Sequence, residues 1–454
     1  MRVTVALFLL ALTTSLFAQD PAAIDKAVTD VLARSGAPSA SIAVVKDGKL
    51  LYAKAYGNAR LDPPMAATAD MRYSIGSISK QFTAAAVLLL AEEGKLTLDD
   101  KVVRWLPELT RAQDVTIRQL LSMTSGYQDF WPQDYVMPMM MKPVAPDAIL
   151  NGWAKIPLDF EPGTKWQYSN TNYVIAGLIV ERVAGLPLLD FLKKRVFEPL
   201  KMTSVTNTDE APLGPTDPSR YMRFALAKPR LAPKEGTGWM FAAGELAMTA
   251  RDLAAWDIAM IDQTVLKPAS YRDMQTEVLL KSGASSRYGL GVSVAPVEGR
   301  RQISHGGEVS GFTARNEVYP DDRAAIVVLT NLDATDASTQ IASAIARQLF
   351  AGTTDTNALE SAKRIFAALQ QGKIDRALFT SNANSYFSAD ALADFASSLG
   401  PLGTPTEFAP LPQSLRGGMT LRRYRIRFPN KTLRLTTFTM PDGKLEQYTI
   451  NASE

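Results

Sequence analysis

Ser77-Ile78-Ser79-Lys80-Gln81-Phe82-Thr83-Ala84-Ala85-Ala86-Val87-Leu88-Leu89-Leu90-Ala91-Glu92-Glu93-Gly94 reads as one helix over residues 77–93. Gly94 falls at the C′ position, where a left-handed residue ends a helix without steric cost. Residues 84–91 are apolar on every side, so this helix belongs in the centre of a folded unit. Ser77 and Lys80 stand at its start, three positions apart and therefore on one face. A serine hydroxyl is a poor nucleophile until a base lies within hydrogen-bond reach. Lys80 can be that base only when neutral, and burial lowers a lysine's pKa toward that state. Free backbone N–H groups in the first turn favour negative charge developing at Ser77. Alone, Ser-x-x-Lys is a weak signal, because roughly one or two copies arise by chance in a chain of this size. Here it occurs once. A helix-capping serine beside a solvated lysine is the competing reading.

Before this helix, residues 24–34 show helical spacing, and two strand-like runs at 41–45 and 50–55 flank the hairpin signal Asp47-Gly48. After it, residues 95–280 alternate short helical patterns with Pro- and Gly-rich loops, the pattern of a mostly helical subdomain. Strand signals return at 288–295, 302–305, 312–319 and 324–330, separated by turn residues such as Glu298-Gly299 and Pro320-Asp321-Asp322, and a helix follows at 337–350. Early and late strands together predict one antiparallel sheet built from both ends of the chain, with the helical region inserted between them. Beyond a linker at 352–355 come two helices, 358–370 and 389–398, then three strands within 419–450. Apolar parity slips within 421–424 and 435–438, as β-bulges in a curved sheet require. The fold class expected is α+β: an antiparallel sheet flanked by helices with an inserted mostly helical subdomain, plus a small C-terminal α+β domain with a curved antiparallel sheet. The expected boundaries are a signal peptide at 1–18, the main domain at 19–351 and the small domain at 356–454.

Composition prunes the chemistry. In 454 residues there is no cysteine and one histidine, His305, with a formal net charge of +3. Thiol nucleophiles, disulfides and multi-histidine metal sites are excluded, and no cofactor or metal is implied. A Ser-His-Asp triad would have to use His305, and no Gly-x-Ser-x-Gly elbow occurs. No basic run marks a nucleic-acid surface. Arg2, the apolar residues 3–12 and small residues near Ala18 form a signal-peptide pattern. They predict a periplasmic or secreted protein without a stable membrane anchor after cleavage. The partner expected is a small-molecule or peptide substrate, and nothing in the sequence specifies an oligomeric state.

Two further motifs follow in order. Tyr168-Ser169-Asn170 lies after the turn Glu161-Pro162-Gly163; a phenol near Ser77 could relay a proton, and an amide could hold Lys80 or a substrate carbonyl. A second Tyr-x-Asn, Tyr56-Gly57-Asn58, ends the early hairpin and reads as packing. His305-Gly306-Gly307 places two glycines in a strand, where a substrate backbone could approach and pair with the edge. A strand-end packing histidine is the alternative. Lys281-Ser282-Gly283 lies in a polar loop without strand character and is set aside.

In this order, Ser-x-x-Lys, Tyr-x-Asn and His-x-Gly resemble the serine β-lactamase-like and penicillin-binding-protein superfamily. That superfamily includes class C β-lactamases, D,D-carboxypeptidases, D-aminopeptidases and family VIII esterases. Ile117-Arg118-Gln119-Leu120-Leu121-Ser122-Met123-Thr124-Ser125-Gly126, Pro162-Gly163-Thr164, Ala250-Arg251-Asp252-Leu253 and Ser310-Gly311-Phe312 are similar to the family's surroundings, over residues 25–350. The resemblance implies a serine hydrolase in which Ser77 is acylated and Lys80 and Tyr168 manage protons. It further implies that Asn170, His305, Gly306 and Gly307 meet the substrate, and that the Ser77 and Glu308 backbone N–H groups form the oxyanion hole. It leaves open a non-catalytic penicillin-recognising or peptidoglycan-binding module on the same fold. Where β-lactamases carry Lys then Thr, this chain has His305 and Gly306, which removes a fixed charge and a hydroxyl donor for a substrate carboxylate. Hydrolysis of an ester, amide or peptide is therefore expected, with β-lactam hydrolysis weak or absent. Glu245 stands where the family often has Gly. The small domain's pattern resembles the cone-shaped nuclear-transport-factor-like and cystatin-like folds.

Overall fold

Ser39–Lys46 is buried along almost its whole length, as a strand covered on both faces must be. It pairs with Lys49–Leu61 on one side and with the late strand Ala324–Thr330 on the other, antiparallel in both cases, with Ala40 opposite Thr330. The two ends of the chain thus meet in the middle of one seven-stranded antiparallel sheet. Its order is Pro64–Ala66, Lys49–Leu61, Ser39–Lys46, Ala324–Thr330, Phe312–Tyr319, Ile303–Val309 and Ser293–Val294. The computed structural model describes residues 21–133, 135–297, 300–350 and 356–453. The signal-peptide pattern, the linker at 352–355 and the turn Glu298-Gly299 lie outside the described residues.

Alternation divides the core into two layers. Ile42, Val44, Ile326 and Val328 point toward Ile24, Val28, Ile341 and Ile345 of the helices Pro21–Ser35 and Ala337–Leu349. Ala43, Val45, Val327 and Leu329 point the other way, into the larger core shared with the helical region. At the centre of that core lies Lys80–Glu92, buried from Lys80 to Leu90 and ended by Gly94 at φ 70°. A buried polar chain ties this helix to its neighbours. Trp256 Nε1 donates to Gln81 Oε1 at 2.9 Å, Gln81 Nε2 to Asn316 Oδ1 at 3.0 Å, and Asn316 Nδ2 to both Asp257 oxygens at 2.8 Å. Satisfied networks of this kind specify one packing of helix against sheet. No described helix is long and apolar enough to cross a membrane.

Three expectations need correction. Only Ser293–Val294 of the run 288–295 is a strand, pairing with Ile303 and Ser304. Gly289 and Gly291 pass so close to the Met274 and Lys80 carbonyls that a Cβ would lie 2.1 and 2.9 Å from those oxygens, so this segment packs against the start of the helix Lys80–Glu92 instead. The C-terminal sheet has four strands, Glu407–Arg416, Met419–Phe428, Lys431–Thr439 and Leu445–Ser453, and a third helix, Ser381–Tyr386, precedes it. Its first strand carries Pro410 and Pro412, which a sheet tolerates at an edge, and this strand is one of the two edges. Bulges do interrupt the sheet, but in the partner strands, between Leu411 and Ser414 and opposite Phe438 and Thr439, while Met419–Phe428 and Lys431–Thr439 pair in unbroken register. This sheet and its helices enclose their own core, from Ala362 through Leu435 to Tyr448.

Candidate active site

Ser77 occupies a 3-10 turn, Gly76–Ser79, that feeds directly into Lys80–Glu92. The turn is held from outside. Leu246 N donates to Ser79 Oγ at 3.2 Å, and Thr83 Oγ1 donates to the Ala242 carbonyl at 2.7 Å. Lys80 is fully buried, and its amine donates to Ser77 Oγ at 2.9 Å, Asn170 Oδ1 at 2.8 Å and the Ala243 carbonyl at 2.7 Å. Two phenol rings lie near the amine, with Nζ 5.1 Å from the Tyr168 centroid and 5.5 Å from that of Tyr173. Burial pushes the Lys80 pKa down to about 7, while the nearby Asp129 and Glu245 oppose the fall. A lysine at its ordinary value would be neutral in only about one molecule in two to three thousand at pH 7. This one is neutral in a large fraction of molecules.

The Tyr168 hydroxyl is buried without a hydrogen bond of normal geometry. It is nonetheless close enough to Ser77 for that hydroxyl to lower its pKa, against the burial that raises it. Across the cleft, His305 is buried between Tyr168 and Tyr288. Nδ1 lies 2.5 Å from the Gly306 carbonyl and Nε2 2.8 Å from the Tyr288 hydroxyl. A carbonyl can only accept, so the proton sits on Nδ1 and Nε2 accepts from Tyr288. Burial pushes the His305 pKa down to about 3, with the charge of Lys80 acting in the same direction. His305 is therefore a neutral ring with both nitrogens engaged, and it does not titrate alongside Lys80.

The two glycines of the third motif differ. A Cβ on Gly307 would lie 1.9 Å from the Ile75 carbonyl oxygen, so this residue lets the strand Ile303–Val309 press against the Ser77 turn. The expected opening for a substrate backbone is thus not made at Gly307. Gly306 faces the cleft, with nothing nearer to a Cβ than 3.9 Å. Gly76 turns at φ 52°, and a Cβ on it would meet the Glu308 nitrogen at 2.7 Å, which sets that backbone N–H beside the Ser77 turn. On that edge of the sheet, Ser293–Val294 pairs with Ile303 and Ser304.

Ser77, Tyr168, Asn170, His305, Gly306, Gly307 and Glu308 line one cleft of about 660 Å³, with Lys80 buried behind it. Its far wall is aromatic and apolar: Phe130, Trp131, Tyr135, Val136, Trp239 and Met240. The charged lining residues are Asp129, Glu308 and Asp333; no Lys or Arg lines it among the described residues. The sequence reading missed Asp129, which lies in a loop without periodicity and binds the Asn170 amide. It also missed Tyr288, whose partner is apparent only in three dimensions. Glu245 proves to be buried, with its pKa pushed up to about 8 by desolvation, so near neutrality it is mostly an uncharged acid. Tyr56 behaves as read, on the opposite side of the sheet, donating to Asp25 Oδ1 at 2.7 Å.

A family model described as Beta-lactamase matches residues 24–349. The chain belongs to the beta-lactamase family. Among curated members it is 28% identical over 382 residues to a penicillin-binding protein of Bacillus subtilis (strain 168), covering 78% of this chain and 80% of that one. A D-aminopeptidase of Brucella anthropi is 27% identical over 324 residues, 69% of this chain and 60% of that enzyme. Among solved structures, the D-amino acid amidase from Ochrobactrum anthropi SV3, complexed with L-phenylalanine amide, is 26% identical with a TM-score of 0.65, covering 74% of this chain and 99% of that chain. The octameric penicillin-binding protein homologue from Pyrococcus abyssi is 20% identical with a TM-score of 0.61 and covers 95% of this chain, so the likeness of fold extends past the family match. The chain is thus a serine hydrolase of the β-lactamase and penicillin-binding-protein type.

Proposed function

We propose that this hydrolase works through an acyl-enzyme on Ser77, formed from an ester or amide substrate that carries an apolar acyl group and no carboxylate. The observation that carries this reading is the buried Lys80 amine, 2.9 Å from Ser77 Oγ and poised near pKa 7. Neutral Lys80 takes the Ser77 proton as Oγ bonds to the substrate carbonyl carbon. Negative charge gathering on the carbonyl oxygen falls to the backbone N–H groups of Ser77 and Glu308. The Tyr168 hydroxyl, beside Ser77, relays the proton held by Lys80 to the departing amine or alkoxide; water then bonds to the acyl carbon, the bond to Ser77 Oγ breaks, and the water's proton restores the Ser77 hydroxyl. A module that binds without becoming acylated has no chemical need of a buried amine set against a serine.

The preference follows from charge. A carboxylate-bearing β-lactam or D,D-peptide would meet a neutral His305 and three acidic residues, with no Lys or Arg among the described lining residues to receive it. The aromatic wall suits an apolar acyl group, and the relatives named as a D-aminopeptidase and a D-amino acid amidase extend the candidates to amino-acid amides. Hydrolysis of p-nitrophenyl butyrate should show a burst of one equivalent and exceed that of nitrocefin in kcat/KM. Ser77→Ala should lose both the burst and turnover, on the order of 10⁶ in kcat. Faster turnover of nitrocefin would contradict the charge argument. We also propose export to the periplasm or medium, from the signal pattern at residues 1–18; a mature protein whose intact mass still includes those residues would refute it.

A further inference from the structure

We propose that Asp129 is a positioning residue for the Ser77–Lys80 pair: through Asn170 it turns the lysine's lone pair onto the serine, and its charge sets how readily that amine sheds its proton. This rests on Ser77 as nucleophile and Lys80 as its base. Asp129 Oδ1 accepts from the Asn170 backbone N–H at 2.9 Å, from Asn170 Nδ2 at 3.1 Å and from the Trp131 N–H at 3.2 Å, and Oδ2 lies 3.4 Å from Nδ2. A carboxylate can only accept, so it selects the Asn170 orientation whose NH₂ faces Asp129 and whose oxygen faces Lys80, 2.8 Å away.

That orientation matters to a neutral amine, which has two N–H bonds and one lone pair. Asn170 Oδ1 and the Ala243 carbonyl are fixed acceptors and take the two N–H bonds. The remaining direction is Ser77 Oγ, so the lone pair points at the proton it must remove. An Asn170 amide turned over would offer its NH₂ to that lone pair and occupy the base. Electrostatically, the groups facing Lys80 are Asp129, Glu245, the Tyr168 and Tyr173 rings and His305. His305 is neutral, so the negative charges that act on Lys80 are Asp129 first and Glu245 second, the latter only as it ionises at about 8. Burial raises the Asp129 pKa, while its N–H donors and Lys80 hold it down.

Asp129→Asn keeps the size and one acceptor but removes the charge and frees Asn170 to turn. The burst rate with p-nitrophenyl butyrate, measured against pH on the full chain, reads both effects. The plateau rate should fall about tenfold or more. Loss of a negative charge favours neutral Lys80, so the midpoint of the rising limb should move acidward, by about half a pH unit to one unit. Asp129→Glu, which keeps the charge, should return the midpoint to the wild-type position. A midpoint unmoved in Asp129→Asn overturns the proposal, whatever the plateau does. Should that variant not fold, Asp129→Glu carries the test alone, and an acidward midpoint there overturns it. A wild-type protein without a burst, or Ser77→Ala with one, would instead remove the underlying reading and leave Asp129 without a pair to position.

Discussion

At the scale of single residues, the site is a problem of where protons rest. Lys80 holds a proton weakly because burial strips its ammonium of water, and three acceptors around it soften that cost without cancelling it. On the proposed mechanism the working form is the neutral amine, so acylation should rise with pH through about 7 and level off above it. His305 is the other group that might produce such a limb, and its environment removes it. With a pKa near 3 it stays neutral throughout that range. Since the chain has one histidine, NMR of imidazole-labelled protein reports on His305 alone. Its resonances should remain those of the neutral Nδ1–H form from pH 8 down to pH 5. A titration centred near the ordinary value of about 6.5 would show a solvated ring and reopen His305 as the base.

Among the elements, the strand Ile303–Val309 and the Ser77 turn act as one piece because their backbones touch. Gly76 and Gly307 make that contact possible, while Gly306, one residue away, only borders the cleft. Alanine separates the roles. Gly307→Ala must push the strand off Ile75, with an expected loss of about 1–3 kcal/mol in stability and of activity together. Gly306→Ala meets nothing nearer than 3.9 Å, so stability should stay within about 0.5 kcal/mol and any change should appear in KM. Thermal unfolding and ester kinetics on both variants check this. Equal destabilisation would mean that the two glycines share one role.

For the whole molecule, what could be read in advance depended on whether local pattern and global position agreed. Phe312–Tyr319 and Ala324–Thr330 matched their expected bounds, since turn residues close each run. Glu407–Arg416 escaped notice because its prolines speak against a strand unless it lies at an edge, and edge position belongs to the sheet rather than the segment. Ser77 and Lys80 were legible because one helical turn joins them, and Tyr168, Asn170 and His305 through family likeness. Asp129 and Tyr288 were not, because only the path of the chain brings them to the site. The core of residues 362–448 is separate from those on the two faces of the large sheet. We therefore expect a chain ending at residue 351 to fold and to hydrolyse p-nitrophenyl butyrate at a rate within several-fold of the intact protein. An insoluble or inactive product would mean that the C-terminal part supports the cleft.

The central claim is that Ser77 alone becomes covalently acylated, and a fluorophosphonate probe tests it most directly. After incubation at pH 8, the intact protein should gain the mass of one probe less HF, as the serine oxygen displaces fluoride from phosphorus, and peptide mapping should place the adduct on Ser77. The rate of labelling should fall as the pH is lowered through about 7 with the protonation of Lys80. A probe mapped to any other serine, or undiminished labelling of Ser77→Ala, would contradict the account.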